Sequence, residues 1–151
     1  MFGRVRRPAD FEAMLATPAK ARSAHFTAHF LSGRPSLPRR RTAKLSEVEL
    51  STGDAEVCAQ AVDDRSTPAP AAWWLGLVVP KRHARKATTR NLLRRLMRGV
   101  FEQHRPLLAH GMWLLRLRAP FDPRQFKSAA PAVLRQQARL ELDGLLKRVS
   151  L

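Results

Sequence analysis

The sequence predicts a two-layer α/β (α+β) sandwich, a small sheet with helices packed on it. Three observations predict it. The run "WWLGLVV" (73–79) is almost continuously apolar and is ended by Pro80, the pattern of a buried central strand. The stretch "KATTRNLLRRLMRGVFEQHR" (86–105) then switches to a helical period. From 131 to 149, Leu134, Ala138, Leu142, Leu145 and Val149 recur three and four residues apart, one seam of another helix.

The remaining elements fall into order around these. "PADFEAML" opens with proline and an acid and spaces Phe11, Met14 and Leu15 as a short helix does; Asp10 is a candidate cap. "HFTAHFL" (25–31) reads as a strand, with Phe26 and Phe30 on one face and His29 on the other. "GMWLLRLRA" (111–119) partly alternates and is closed by Pro120, a third strand. Between the first two strands, residues 33–72 are rich in Pro, Ser, Thr and Ala and show no sustained period. They read as a flexible inserted loop within a single domain spanning 1–151. Of Trp73 and Trp74, one is expected buried and one near the surface.

Composition narrows the partners. Lys and Arg number 28 against 12 Asp and Glu, a net charge of +16, and the pI is near 11.8. A compact domain with that excess repels itself unless a polyanion is present, and nucleic acid is the first such partner. The charge is also segregated. Residues 47–64 hold Glu47, Glu49, Asp54, Glu56, Asp63 and Asp64 and no base, whereas 81–105 hold only Glu102 against their Lys and Arg. A lone cysteine, Cys58, forms no internal disulfide, and neither a membrane span nor a signal-peptide core is legible. The expected setting is the cytoplasm, with no membrane partner.

The 86–105 helix carries the chemistry. At about 100° per residue, Leu92, Leu93, Leu96, Met97, Val100 and Phe101 share one half of the circumference. Asn91, Arg94, Arg95, Arg98 and Arg105 share the other, with Arg90 at the boundary. Solvated helix faces usually interleave both signs to gain i,i+4 pairs; this one does not. Arginine's planar fork suits bidentate phosphate contacts, and "PKRHARK" (80–86) extends the positive field into the preceding loop. Thr88 or Thr89 is expected to cap the helix, and Gly99 costs it roughly 1 kcal/mol of propensity.

The segment "VVPKRHARKATTRNLLRRLMRGVFEQHR" resembles the signature of the bacterial ribonuclease P protein subunit. That family has a strand ending in a basic pair, a short loop, and a helix opening Arg-Asn-Arg and continuing with further basic residues. The matching positions are Lys81, Arg82, Arg90, Asn91, Arg94, Arg95 and Arg98, with Lys86 in the same basic loop. The flanks "ADFEAML", "HFTAHFL" and "MWLLRLR" are similar to the family's first helix and outer strands. Leu92 stands where the family usually has arginine, Arg94 where lysine is commoner, and Gly99 where glutamate or glutamine is usual. The resemblance implies a left-handed βαβ crossover, against the general right-handed preference. It implies that the arginine helix contacts a catalytic RNA subunit and that a cleft between the first helix and the sheet takes the single-stranded 5′ leader of precursor tRNA. Phe11, Phe26 and His29 are the leader-cleft candidates, by stacking.

No catalytic group is assigned to the chain. Outside the loop its acids are Asp10, Glu12, Glu102, Asp122, Glu141 and Asp143, and no pair has metal-site spacing. The five histidines form no zinc pattern, and no glycine-rich phosphate loop occurs. The resemblance agrees: it implies that the RNA holds the active site, with Mg2+ bound through the RNA complex and none by the protein alone. The alternative is a ribosomal or other structured-RNA-binding protein without an enzymatic role. A DNA-binding protein is a third reading, but the helix lacks a neighbouring helix to form a two-helix reading unit.

Overall fold

A computed structural model of the chain describes residues 2–36, 72–122 and 131–150. The expected 33–72 insertion falls, from 37 to 71, outside them. The elements run β1 (Gly3–Arg4), α1 (Pro8–Ala16), β2 (Ala19–Arg22), β3 (Phe26–Leu31), β4 (Trp73–Val78), α2 (Ala87–His104), β5 (Gly111–Leu117) and α3 (Pro131–Val149). Five strands form one sheet in the order β1-β4-β5-β3-β2. β5 is parallel to β4 and antiparallel to β3, so β4, α2 and β5 make a crossover between adjacent parallel strands. The mixed sheet with its helices is the α/β sandwich expected from sequence.

Two strands were not legible in the sequence. β1 is two residues and β2 is "AKAR", neither with an apolar alternation. They exist because β4 and β3 offer open edges to pair with. Exposed Lys20 and Arg22 on β2 blunt the new edge against further pairing.

Strand alternation sends side chains to two layers. Phe26, Ala28, Trp113, Leu115 and Leu117 join Leu93, Met97, Val100 and Phe101 of α2 and Ala138, Leu142, Leu145 and Leu146 of α3 in the larger core. Met112 and Leu114 point the other way and meet Met14 and Phe11 of α1. α1 therefore covers the face opposite α2 and α3. Trp73 and Trp74 are both half-buried, one packed on each layer, so the expected buried-and-exposed pair is replaced by a split across the sheet.

The helix ends differ from expectation in detail. α1 has Arg7 at its N-cap and Pro8 at its first position, and Asp10 lies one turn in. Instead of capping, the buried Asp10 accepts a hydrogen bond from the Ser36 N–H at 3.1 Å. Thr17 closes the helix, its N–H and hydroxyl both donating to Met14 O. α2 starts at Lys86 with no side-chain cap, and Thr88 and Thr89 sit inside its first turn. Gly111 has φ +145°, a left-handed conformation that only glycine takes without strain, and a Cβ there would lie 2.9 Å from the Phe30 ring. That close approach lets β5 start directly beside β3.

Two carboxylate–histidine contacts tie α3 inward: His25 with Glu141 at 2.8 Å and His104 with Asp143 at 3.0 Å. Glu141 Oε1 also accepts from Ser23 Oγ and from the His25 N–H, the latter at 2.6 Å. Burial by itself would raise the Glu141 pKa. The hydrogen bonds from Ser23, then from the His25 backbone and ring, outweigh it and hold the carboxyl below its usual 4.5. A depressed carboxylate adds stability above its unfolded pKa and loses it as pH falls through the folded value. The urea midpoint is thus expected to fall more steeply below pH 4.5 for the natural chain than for Glu141→Gln. Parallel curves would show that this network adds nothing.

Candidate nucleic-acid interface

The apolar stripe of α2 is seated before its basic face is considered. Leu93, Met97 and Phe101 are fully buried and Val100 nearly so. At about 1.5–3 kcal/mol for each large side chain removed from water, this stripe holds the helix on the sheet by roughly 6–12 kcal/mol, an upper bound. A membrane-surface role would require giving that up. No helix among the described residues is long and apolar enough to cross a membrane.

With one half buried, the other half faces outward. Asn91, Arg94 and Arg95 are exposed and Arg98 half-exposed. Lys81, Arg82, Arg85 and Lys86 in the approach loop are exposed too. Among the described residues, no carboxylate pairs with Arg94, Arg95, Arg98, Lys81 or Lys86. The helix of 18 residues runs about 27 Å. Its uncapped N-terminus adds the positive end of the macrodipole beside the loop cations.

The approach loop is held in shape. Pro80 O accepts from the N–H groups of His83 (3.1 Å) and Ala84 (3.2 Å), and Ala84 is buried. Arg90 Nη1 donates to Ala84 O at 2.9 Å and to Arg85 O at 2.7 Å. One nitrogen of Arg90 is therefore spent bracing the loop that presents Lys81 and Arg82. Arg105, placed by periodicity on the basic half, leaves it: the residue follows the end of α2 and lies 5.1 Å from the Trp73 ring. Gly99 meets nothing that a Cβ would touch, so no part of the described chain needs a glycine there.

The sheet face under α1 is a second surface. Phe11 is half-buried and lies over Gly76, where a Cβ would come within 2.8 Å of its ring and 3.0 Å of Leu114. Arg116 follows Leu114 on this face, flanked in register by Thr27 and Val78. Its Nε is buried without a partner. Nearby, burial first, then the charges of Arg82 and Arg116, hold the His83 imidazole below its usual pKa, so the ring stays neutral at pH 7. His29 shares the face but is buried, its Nδ1 3.0 Å from Thr17 O. Phe26 does not share it. Its ring is fully buried on the opposite layer, against Phe121, and as a core residue it is unavailable to stack on a ligand.

The structure thus puts Asn91, Arg94, Arg95 and Arg98 on the outward side of α2, with Lys81, Arg82 and Lys86 exposed in the loop before it, and places Phe11 on the α1 side of the sheet, the side that carries Arg116. Sequence reading missed Arg116, Thr27 and Gly76 there. The alternation in "WLLRLR" does set Arg116 off the Leu115 and Leu117 face, a signal that could have found it. Replacing Gly76 with alanine is expected to push the Phe11 ring aside, costing about 1–3 kcal/mol in urea denaturation by overpacking. An unchanged midpoint would mean that Phe11 moves away freely. Among the described residues, no group of three His, Cys, Asp or Glu side chains is placed to hold a metal ion.

Comparison with known proteins bears on these surfaces. The family model described as Ribonuclease P matches residues 2–141. The ribonuclease P protein component of Burkholderia pseudomallei is 43% identical over 76 residues, half of this chain and 56% of that protein. The chain thus spans a little over half the length of this relative. That of Bordetella avium is 33% identical over 113 residues, 75% of this chain and 88% of the relative. The solved Staphylococcus aureus RNase P protein superposes with a TM-score of 0.56 over 97% of this chain and 94% of its own, at 15% identity. That likeness is one of fold.

Proposed function

The chain belongs to the ribonuclease P protein family, and from that premise we propose that it is the RNA-binding protein subunit of a ribonucleoprotein endoribonuclease that removes the 5′ leader of precursor tRNA. The observation that carries the reading is the α2 ridge: cations along about 27 Å with no acidic partner among the described residues, on a helix whose other face is locked in the core. Arg94, Arg95 and Arg98, with Lys81, Arg82 and Lys86, contact phosphates of the catalytic RNA. Exposed Asn91 joins them, and Arg90 braces the loop that presents Lys81 and Arg82.

The leader lies on the face under α1. There Phe11 and Arg116 are each half-exposed, one offering an aromatic ring and the other a positive charge, and His83 offers a neutral imidazole. Chemistry stays with the RNA and its Mg2+; the protein supplies positive charge that offsets phosphate repulsion when the two RNAs meet. The test is reconstitution. The purified chain alone is expected to cleave no precursor tRNA and to restore cleavage by the cognate RNA at low magnesium. Full-rate cleavage by that RNA at low magnesium without the chain would sink the proposal. Recovery of the chain on ribosomal subunits in place of this RNA would favour the structural RNA-binding reading.

A further inference from the structure

A second basic site lies on the far side of α3 from α2. Arg139 and Asp143 turn toward α2, bonding Gln103 and His104. The other flank of α3 faces the turn between β2 and β3, and the two enclose an open groove of about 690 Å3. That size is within the range of small-ligand clefts, about 300–1,000 Å3. Arg22 stands on the β2 side and Gln137, Leu140 and Arg148 on the α3 side, all four exposed.

The groove is built from backbone that draws guanidinium groups to it. Arg148 Nη1 donates to Arg22 O, and Arg118 Nη1 to Ser23 O, each at 3.3 Å. Both arginines keep further donors outside these bonds. The one carboxylate in the lining, Glu141, is spent inward on Ser23 and His25. What remains toward solvent is two guanidinium groups, one amide and Leu140, a large apolar side chain left 66% exposed. This set matches one nucleotide of a single strand. The forks take phosphate oxygens, the amide reads a base edge, and the leucine covers an apolar base face. A small metabolite with one anionic group would use the arginines and leave Leu140 bare.

We propose that this groove is an RNA subsite separate from the α2 ridge, holding one nucleotide between Arg22 and Arg148. The inference rests on the RNA-binding reading above and adds a second point of attachment, on the other flank of α3. The strand belongs either to the catalytic RNA or to precursor tRNA, and the two are separated by testing each alone.

Two measurements test it on the full chain. Arg22→Gln combined with Arg148→Gln is expected to raise Kd about tenfold for one of the two RNAs and to reduce its log–log salt slope by roughly 1.4–1.8, two contacts at 0.7–0.9 each. p-Benzoylphenylalanine at position 137, with the arginines intact, is expected to crosslink to that same RNA. This second arm does not depend on how well the double variant folds. An unchanged slope with both RNAs overturns the subsite. So does a changed slope without a crosslink, since the arginines would then act only through the long-range field. If the double variant is neutral while Arg94→Ala, Arg95→Ala and Arg98→Ala together still weaken binding, only the groove falls. If that α2 triple variant is neutral as well, the RNA-binding reading falls with it.

Discussion

Replacing Arg94, Arg95 and Arg98 together with alanine is expected to weaken RNA binding roughly a thousandfold and leave the fold intact. Each hydrogen bond to a charged group contributes about 1.5–3 kcal/mol. Three contacts at about 1.5 kcal/mol each correspond to roughly a thousandfold in Kd. The same change is expected to flatten the salt dependence, since each phosphate contact adds about 0.7–0.9 to the slope of log K against log salt. The loss should be largest at low salt and narrow as salt rises, by about 2–3 in slope. Among the described residues no carboxylate pairs with these side chains to offset the loss. Alanine is also a better helix former than arginine, so the melting temperature should not fall. An unchanged slope would mean that the ridge is merely solvated. A lowered melting temperature together with the lost affinity would mean that the arginines hold the helix.

Phe26→Ala is expected to act in the opposite way, on stability and not on contact. The ring is 0% exposed beneath α2 and α3 and packs near Phe121. Its removal leaves a cavity in the larger core, with a cost of about 3–5 kcal/mol for a buried phenylalanine. That is a large share of the 5–15 kcal/mol by which a domain is stable. Urea denaturation should show the loss directly. RNA affinity per folded molecule, measured where the variant is still folded, should be within about twofold of the natural chain. A small stability change with a large loss of leader affinity would return Phe26 to the binding surface.

The contrast between these two variants shows which parts of the site were legible. Arg94, Arg95 and Arg98 could be placed because a helix has one geometric rule. Once Leu93, Met97, Val100 and Phe101 occupy one side, the residues out of phase must face away. The α3 seam followed from the same rule, with Leu134, Ala138, Leu142 and Leu145 all buried. Phe26 and His29 were different. Alternation correctly set them on opposite faces of β3, but it does not say which helix covers which face. Only the placement of α1 against Leu114 and Met112, with α2 and α3 on the other side, made Phe26 core and left Phe11 half-buried on the opposite layer.

Arg90 and Asp10 show a similar limit. Each was read by its position in a helix, one as a phosphate contact and one as a cap. Asp10 bonds the Ser36 N–H in place of capping, and Arg90 uses one nitrogen on the carbonyls of Ala84 and Arg85, a bracing role that its helix position did not announce. Residue type and spacing state what a side chain is able to bond. They do not state which carbonyl or N–H a neighbouring loop brings within 3 Å.

By itself, the sequence determined the charge of this protein, the amphipathic split of its two long helices, its central strands, and the motif that marks its family. All are local or periodic properties, set by the order of side chains along the chain. The tertiary structure alone decided the edge strands β1 and β2, the covering of the two sheet faces, the turning of Arg105 onto Trp73, and the meeting of Arg22 with Arg148. Those depend on pairs far apart in the chain, brought together because an open strand edge, a bare apolar face or an unbonded carbonyl is costly to leave as it is.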